Sequence, residues 1–256
     1  MPVMILSGLQ ANPLYAGGFR PPVSSGLLGW WWLGGDQAST EKDHAYIGNG
    51  TLAGSVTLHD GYASFAGYSA GQWLQTEVAE TNDLTLMCVA RTSDTLASAA
   101  YRPMFMSWFG GDPGYASQAN GTGLYYGSTS GLPQGFLRGA VGHVTTGTVT
   151  MDDAAFQTVP DVTAWRFLAV SFDDTSNVKL VSDLTAAASA TNTVSTTRSP
   201  HTVNRLRIGG GFNASFSGAC DVAWAAVYNR ALTAEEKADT RAFVNTVLSD
   251  RHGFSS

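Results

Sequence analysis

Apolar and polar residues alternate in short segments along most of this chain, and turn-forming residues separate the segments. The pattern is clearest at 220–228, CDVAWAAVY, where a period of two predicts a β-strand. It places Cys220, Val222, Trp224, Ala226 and Tyr228 on one face. Because the other face is also largely apolar, we expect this strand to lie in the middle of a layered structure.

A helix is predicted directly after this strand. Thr233-Ala234-Glu235-Glu236 has the spacing of a capping box, so we expect a helix over about 233–250. Upstream, strand-like segments are separated by Gly-, Pro-, Asn- and Ser-containing turns, often every 8–12 residues, as in sandwiches and barrels. The predicted strands are 26–36, 51–54, 61–67, 72–76, 84–91, 104–109, 123–126, 135–141, 144–150, 165–173, 178–181 and 205–209.

The first 25 residues have a different character. They contain four prolines and several glycines without usable periodicity, which predicts an extended N-terminal arm over 1–25. The arm also carries apolar side chains that need cover. It therefore either wraps its own subunit or lies against a neighbouring subunit in a larger assembly. We expect the rest, 26–256, to form one domain.

Composition limits the function classes. The chain has 256 residues, 44% hydrophobic and 13% charged, which is enough for one large β-sandwich. Its net charge is −6 and it contains three lysines, so binding to nucleic acid is not expected. No apolar run is long enough for a membrane span, and the N-terminus lacks the features of a secretory signal. Two cysteines, Cys88 and Cys220, are either buried thiols or one bridge between neighbouring strands.

Several of these segments resemble one known superfamily. Phe216-x-Gly218-x-x-Asp221 and the Tyr-Asn-Arg-Ala-Leu-Thr-Ala-Glu-Glu run that ends at Glu236 are similar to the C-terminal signature of laminin-G-like, concanavalin A-like lectin/glucanase domains. Further matches, in the same order as in that family, cover about 26–245: Leu-x-Gly-Trp-Trp at 27–31, Gly-x-Ala-x-Phe-x-Gly at 61–67, Trp-x-x-Leu-Ala-Val-x-Phe-Asp at 165–173 and Leu-x-Ile-Gly at 206–209.

The resemblance implies a fold. It indicates an all-β protein, a two-sheet antiparallel jelly-roll β-sandwich with a C-terminal α-helix and an extended N-terminal arm. The chain departs from the family at Cys88, where a tryptophan is usual at or beside this position, and at 182–185, where Tyr-x-Asn-Gly is common.

Catalysis is not expected from the motifs. Hydrolases that resemble this fold carry Glu-x-Asp-x-x-Glu on one strand, and none of the five glutamates here lies in such a pattern. Gly67-Tyr68-Ser69-Ala70-Gly71 matches Gly-x-Ser-x-Gly, but a strand rather than a helix is predicted after it, so a turn is favoured over a nucleophile. The five histidines lack metal-ligand spacing.

Calcium is the cofactor that the resemblance suggests, because many relatives bind it with loop carboxylates. The candidates are Asp36, Asp43, Asp60 and the pair Asp152-Asp153. The alternative for each of them is a turn-forming aspartate.

Exposed aromatic rings are the candidates for binding sugar, since they combine a rigid apolar plate with, in Tyr and Trp, a polar tip. The alternative for each is filling of the core. The candidate residues are Trp108, Tyr115, Tyr125, Tyr126, Tyr68 and Trp73.

The absence of a secretory signal, the few lysines, the Ala-, Gly-, Ser- and Thr-rich composition and the apolar arm are similar to those of bacteriophage virion proteins. We therefore expect a non-catalytic structural or binding module of a tail fibre, baseplate or capsid decoration, located in the virion. Its expected partners are other virion proteins, further copies of itself, or cell-surface polysaccharide, but neither nucleic acid nor membrane. The alternative is a polysaccharide hydrolase or lyase with an unrecognised site.

Overall fold

Short strands joined by turns make up most of the structure, as the alternating pattern predicts. A computed structural model describes residues 20–45, 47–127, 135–193 and 197–252. In these ranges the strands are β1 (Leu27–Trp32), β2 (Thr51–Ala53), β3 (Thr57–His59), β4 (Tyr62–Phe65), β5 (Trp73–Ala79), β6 (Leu84–Arg91), β7 (Met104–Ser107), β8 (Gly110–Asp112), β9 (Gln118–Asn120), β10 (Gly123–Gly127), β11 (Gly135–Thr145), β12 (Thr148–Val159), β13 (Arg166–Asp173), β14 (Val178–Asp183), β15 (Ala188–Thr193), β16 (Thr197–Arg198), β17 (Arg205–Ile208) and β18 (Cys220–Tyr228). The helices are α1 (Gln37–Glu41) and α2 (Ala234–His252), with one-turn 3₁₀ helices at Tyr68–Ala70, Ala99–Tyr101 and Pro113–Tyr115.

Two large antiparallel sheets face each other, which confirms the predicted sandwich. Sheet I has the order β15-β14-β13-β6-β18-β4-β3, and β1 also pairs with β18. Sheet II has the order β12-β11-β10-β7-β17-β5-β2, and β16 also pairs with β11. Strands β8 and β9 form a separate hairpin.

The main core lies between the two sheets. Alternate residues of β6 (Leu84, Leu86, Cys88) and of β13 (Leu168, Val170, Phe172) supply one side of it. Phe105, Trp108, Leu124, Tyr126 and Ile208 supply the other side from sheet II. These side chains are almost fully buried, so the period of two along the strands is the direct result of one face packing inward.

A bulge in β18 changes which residues share a face. The register between β18 and β6 shifts between Val222 and Trp224. As a result, Val222 and Ala225 point into the main core, whereas Trp224 lies on the outer face of sheet I. The prediction that Val222, Trp224 and Tyr228 share one face is therefore wrong, because a bulge inserts an extra residue and inverts the alternation beyond it. The prediction that this strand is buried on both sides is confirmed.

Helix α2 covers part of the outer face of sheet I. Its residues Val244 and Leu248 pack against Trp30, Trp224 and neighbouring apolar side chains in a second core. The predicted capping box is present: the Glu236 amide donates to Thr233 Oγ1 at 3.2 Å, and the Thr233 amide donates to Glu236 Oε2 at 2.9 Å. Glu236 also pairs with Arg230, and these contacts lower the pKa of Glu236 to about 2. The helix start thus follows from local chemistry.

Several strands differ from the prediction: β3, β8, β9 and most of β12 were not predicted, and two further differences have a clear cause. The segment 144–150 was predicted as one strand, but it contains the turn that joins β11 to β12, with positive φ at Thr146 and Gly147. The Ala-, Ser- and Thr-rich segment after 186 was not assigned to a strand, yet β15 forms the edge of sheet I there. Both differences arise because small residues and Thr carry little periodic signal.

The described part of the N-terminal arm contacts its own domain. Val23 is buried in the second core, and its carbonyl accepts a hydrogen bond from the Tyr228 hydroxyl at 3.4 Å. Arg230 Nε donates to the Ser25 carbonyl at 2.9 Å. Residues 1–19 of the predicted arm lie outside the described residues.

The two thiols are unpaired. Cys88 lies opposite Ala225, and Cys220 lies opposite Phe65, so the cysteines are several residues apart along sheet I. Burial raises the pKa of both thiols. Of the two alternatives, buried thiols are confirmed. In the described ranges, no helix has both the length and the apolar character needed to cross a membrane.

Candidate functional site

Half of the aromatic residues predicted to bind sugar are in the interior. Trp108 and Tyr126 belong to the main core, and the Trp108 indole N–H donates to the Val78 carbonyl at 2.9 Å. Tyr125 packs against Phe216 on the outer face of sheet II and is 4% exposed. For these three residues the surface-binding prediction is wrong, because neighbouring elements cover their rings.

Tyr68 and Trp73 are half-buried members of a stack. The two rings are nearly parallel, with centroids 6.2 Å apart. The guanidinium of Arg207 lies 3.8 Å from the Trp73 ring centroid and 3.7 Å from that of Phe212. Burial lowers the pKa of Arg207 to about 10. Tyr68 and the Arg207 guanidinium therefore both stack against the Trp73 ring and occupy part of the surface that a sugar would contact.

Tyr115 lies in the segment between β8 and β9. Its hydroxyl is 2.5 Å from Ser199 Oγ, and its ring is half-buried. Among the described residues, its ring makes no stacking contact with Tyr68 or Trp73.

Asp43, a predicted calcium ligand, is buried and surrounded by N–H donors. Its carboxylate accepts backbone hydrogen bonds from Trp30, Ala45, Ile47 and Gly48 at 2.8–3.3 Å. These four N–H groups use carboxylate lone pairs that a calcium ion would need, so the arrangement disfavours Asp43 as a calcium ligand. Its role is to bind the loop after β1 to that strand.

The other calcium candidates are dispersed. Asp36 caps α1: its carboxylate accepts hydrogen bonds from the Ser39 hydroxyl and, at 2.7 Å, from the Ser39 amide, and these contacts lower its pKa. Asp60 is exposed in the turn between β3 and β4. The side chains of Asp152 and Asp153 lie outside what the structure describes. Among the described side chains, no three His, Cys, Asp or Glu residues are grouped so that they could hold a metal ion.

We expect EDTA to leave the melting temperature of the protein unchanged. We expect Asp43→Ala to lower the free energy of unfolding by about 2–4 kcal/mol. The substitution leaves several buried N–H groups without an acceptor. Thermal and urea unfolding, with and without EDTA, measure both effects. The exposed Asp60→Ala is the matched control and should change stability by less than about 0.5 kcal/mol. A fall in melting temperature on chelation would show that calcium is bound.

One part of the outer face of sheet I is not covered by α2. We call it the open strip, and it contains seven half-buried or exposed side chains from β3, β4, β6, β18 and the residue before β13. They are Thr57, His59, Tyr62, Ser64, Arg91, Trp165 and Asp221. The ladder sets their positions: Thr57 lies opposite Ser64, Ser64 opposite Asp221, and Asp221 opposite Arg91. Side chains opposite each other on one face of a sheet are close enough to interact.

Arg91 is at the centre of the open strip. Its Nε donates to Asp221 Oδ2 at 2.8 Å, and Ser64 Oγ donates to Asp221 Oδ1 at 2.6 Å. The guanidinium lies 4.5 Å from the Trp165 ring centroid and 5.3 Å from that of Tyr62. Arg91 and Asp221 keep 33% and 24% of their side-chain surface exposed. The pair is therefore held in place yet remains in contact with solvent.

Aromatic rings border this ion pair. Tyr62 and Trp165 meet edge to face with centroids 5.3 Å apart, and His59 stacks on Tyr62 at 4.3 Å. At one end of the strip, a cavity of about 320 Å³ is lined by the polar side chains of Thr57, Ser64, Ser93 and Asp221 together with parts of Phe65 and Gln72. The arrangement offers apolar ring surface, hydrogen-bond donors and acceptors, and a concave end within one surface.

A second polar cluster is buried at one end of the sandwich. The Glu80 carboxylate accepts from the Thr122 amide at 2.7 Å and the His201 amide at 2.6 Å, and it pairs with Arg198. Burial lowers the pKa of His201, whose Nδ1 accepts the Asn204 amide at 3.0 Å. These side chains have little or no contact with solvent, so the cluster joins loops and strands rather than presenting groups to a ligand.

Ser69 is not arranged as a nucleophile. It lies in a 3₁₀ turn that is followed by strand β5, and its hydroxyl donates to Ser217 Oγ at 2.7 Å. A nucleophile elbow requires a helix after the serine and a base within reach of it. The sequence predicts a turn at Ser69, and the structure has one there.

Comparison with solved structures supports the fold. The chain is similar to the botulinum neurotoxin serotype G binding domain, with a TM-score of 0.62, 9% identity, and coverage of 85% of this chain and 51% of that one. It is also similar to the binding domain of botulinum neurotoxin DC in complex with SialylT, with a TM-score of 0.59, 10% identity, and coverage of 88% of this chain and 52% of that one. A third similar structure is Trypanosoma rangeli sialidase in complex with sialic acid (TM-score 0.56, 15% identity, 93% and 35% covered).

These similarities concern the fold. The chain spans about half or less of the length of each of these structures. No protein-family model matches it, and no curated protein matches it by sequence.

Sequence reasoning did not find the open strip. The sequence patterns assign Tyr62, Arg91 and Trp165 to strands, and none of the three is among the candidate binding residues. One sequence feature does indicate the open strip: Arg91 and Asp221 are charged residues that end or interrupt otherwise apolar strands. Their pairing depends on β6 and β18 being neighbours, which local patterns do not reveal.

Proposed function

We propose that this chain is a non-catalytic carbohydrate-binding module and that the open strip is its binding surface. The observation that carries the proposal is the Arg91–Asp221 pair bordered by Tyr62 and Trp165, on the part of sheet I that α2 does not cover. Sugar rings present C–H groups on their faces and hydroxyl groups at their edges. Aromatic surface beside fixed donors and acceptors matches both features.

The fold adds support without identifying a ligand. One structure with a similar fold was solved in complex with SialylT and another in complex with sialic acid. In this chain, α2 covers the apolar part of the outer face of sheet I, and the part that remains open is polar and aromatic. A sheet face whose only role was to pack against other elements would carry apolar side chains throughout.

We further propose that the module is a laminin-G-like, concanavalin A-like domain of a bacteriophage virion protein. Five motifs in family order and the low lysine content support this proposal. The described arm residues 20–25 contact the same domain, so an anchoring role would belong to 1–19. Mass spectrometry of virions purified from a phage that encodes the protein would test this context, and absence of the protein from those virions would contradict it.

Replacing Trp165 with alanine is expected to weaken glycan binding by about 2 kcal/mol, close to 30-fold, because the apolar plate and the support of Arg91 are lost together. Glycan-array screening followed by isothermal titration measures the change. Tyr101, an aromatic residue that is 47% exposed and lies outside the open strip, supplies the control Tyr101→Ala, which should bind as the parent does.

Two results would contradict the proposed function. If the Trp165→Ala protein binds as tightly as the parent while remaining folded, the open strip is not the binding surface. If the parent releases reducing sugar or unsaturated product steadily from capsular or cell-wall polysaccharide, the module is an enzyme, the alternative function that we considered from the sequence.

A further inference from the structure

We infer that the open strip recognises an uncharged saccharide through a pair of adjacent hydroxyl groups, and that it discriminates against carboxylated sugars. This inference rests on the proposed function and specifies its ligand class. It depends on how the Arg91–Asp221 pair uses its hydrogen-bonding capacity and on the charges around it.

Arg91 retains most of its donors. A guanidinium has five N–H groups, and Nε of Arg91 uses one of them on Asp221. Within the described part of the chain, neither Nη1 nor Nη2 of Arg91 makes a hydrogen bond. Stacking near Trp165 and Tyr62, together with the bond to Asp221, fixes the plane of the guanidinium. Its free edge is therefore oriented and partly exposed to solvent.

Asp221 retains acceptor capacity beside those donors. Each carboxylate oxygen can accept two hydrogen bonds, and here Oδ1 accepts one from Ser64 while Oδ2 accepts one from Arg91. Donors and acceptors thus lie side by side. A sugar hydroxyl both donates and accepts, so one hydroxyl of an adjacent pair can donate to Asp221 while the other accepts from Arg91.

Charge argues against an anionic ligand at this position. Asp221 neutralises Arg91 at 2.8 Å, the chain carries a net charge of −6, and Asp60 lies exposed next to His59. A ligand carboxylate on the Nη edge would lie within roughly 6 Å of Asp221, a range in which like charges oppose each other. A hydroxyl pair has no such cost. The charge balance therefore favours a neutral sugar.

The test compares neutral polysaccharides with carboxylated ones of matched backbone. Neutral glucans, mannans and galactans, together with polyuronates and sialylated glycans, are screened on an array, and the bound members are titrated by calorimetry at 0.05 and 0.5 M NaCl. We expect binding to neutral members, with a dissociation constant that changes less than about twofold between the two salt concentrations, because no net charge is neutralised. Arg91→Gln should weaken this binding by about tenfold or more.

The variant Asp221→Asn decides between the two ligand classes. For a hydroxyl pair, the amide loses acceptor capacity, and affinity should fall by about tenfold. For a carboxylated ligand, removal of the negative charge should raise affinity. Arg205→Gln, which removes an exposed arginine from sheet II, is the matched control and should bind as the parent does. Thermal melting of each variant separates loss of binding from loss of folding.

The possible outcomes distinguish the two proposals. Preferential, salt-sensitive binding of carboxylated glycans, strengthened by Asp221→Asn, overturns the present inference but leaves the open strip as a carbohydrate site. Neutral-glycan binding that is unchanged in both Arg91→Gln and Asp221→Asn overturns the inference and places binding elsewhere on the molecule. Failure to bind any neutral or carboxylated member overturns both proposals.

Discussion

Replacing Arg198 with methionine is expected to lower the free energy of unfolding by about 3–5 kcal/mol. The Arg198 side chain is fully buried, pairs with Glu80, and donates through Nη1 to the carbonyls of Gly142 and Ser199 at 3.0 Å each. Methionine fills a similar volume but leaves the Glu80 carboxylate in the interior without its cation. Urea denaturation followed by tryptophan fluorescence measures the change.

Two further variants make this prediction specific. Arg205→Met removes an exposed arginine of similar size and should change stability by less than about 0.5 kcal/mol. Glu80→Gln combined with Arg198→Met should cost less than the sum of the two single changes, because neither charge is then left unpaired. A cost below 1 kcal/mol for Arg198→Met would mean that water reaches the cluster in solution.

A second large effect is expected from Val244→Asp in α2. Val244 is fully buried in the core that the helix forms with Trp30 and Trp224 on the outer face of sheet I. A carboxylate at this position would be buried without a partner, so we expect a loss of at least about 4 kcal/mol and detachment of the helix. Near-ultraviolet circular dichroism, which reports on packed tryptophans, and urea unfolding would record it.

The same helix supplies the control for this experiment. Ala242 is exposed on α2 two residues away, so Ala242→Asp introduces the same charge without burying it and should change stability by less than about 0.5 kcal/mol. If the Val244→Asp and Ala242→Asp proteins were equally stable, the packing of α2 on sheet I would not contribute to folding in solution. Partial unfolding limited to α2 would still support the described packing.

The two cores explain why these effects should be large and separate. The Glu80–Arg198 pair joins β5 to the segment that includes β16 at one end of the sandwich. Val244 lies on the opposite side of sheet I from the main core. Since the two positions share no contact in the described structure, their effects on unfolding should be nearly additive.

Much of the fold was predictable from the sequence. Alternation in β6, β13 and β18 predicts buried strands, because a strand places successive side chains on opposite faces. Thr233 and Glu236 predict the start of α2 because the capping bonds are formed within four residues. The motif order indicates a two-sheet sandwich, which the structure confirms.

The predicted site residues show where local pattern is insufficient. Trp108 and Tyr126 are of the residue types that bind sugars on protein surfaces, but the opposite sheet covers them. Asp43 has the carboxylate that a calcium ligand needs, but the loop around it directs backbone N–H groups at that carboxylate. In each case the residue type is informative about chemistry, while exposure and partners depend on segments that are distant along the chain.

The sequence by itself determined the strand periodicity, the capped helix and the sandwich class, because these depend on backbone geometry and on contacts within a few residues. Only the tertiary structure decided that the bulge at Val222–Trp224 inverts the faces of β18. It alone decided that α2 covers one part of sheet I and leaves open another, where Arg91 meets Asp221. These outcomes depend on which strands are neighbours and on what packs over them, and the free energy of that packing is shared among residues far apart in the sequence.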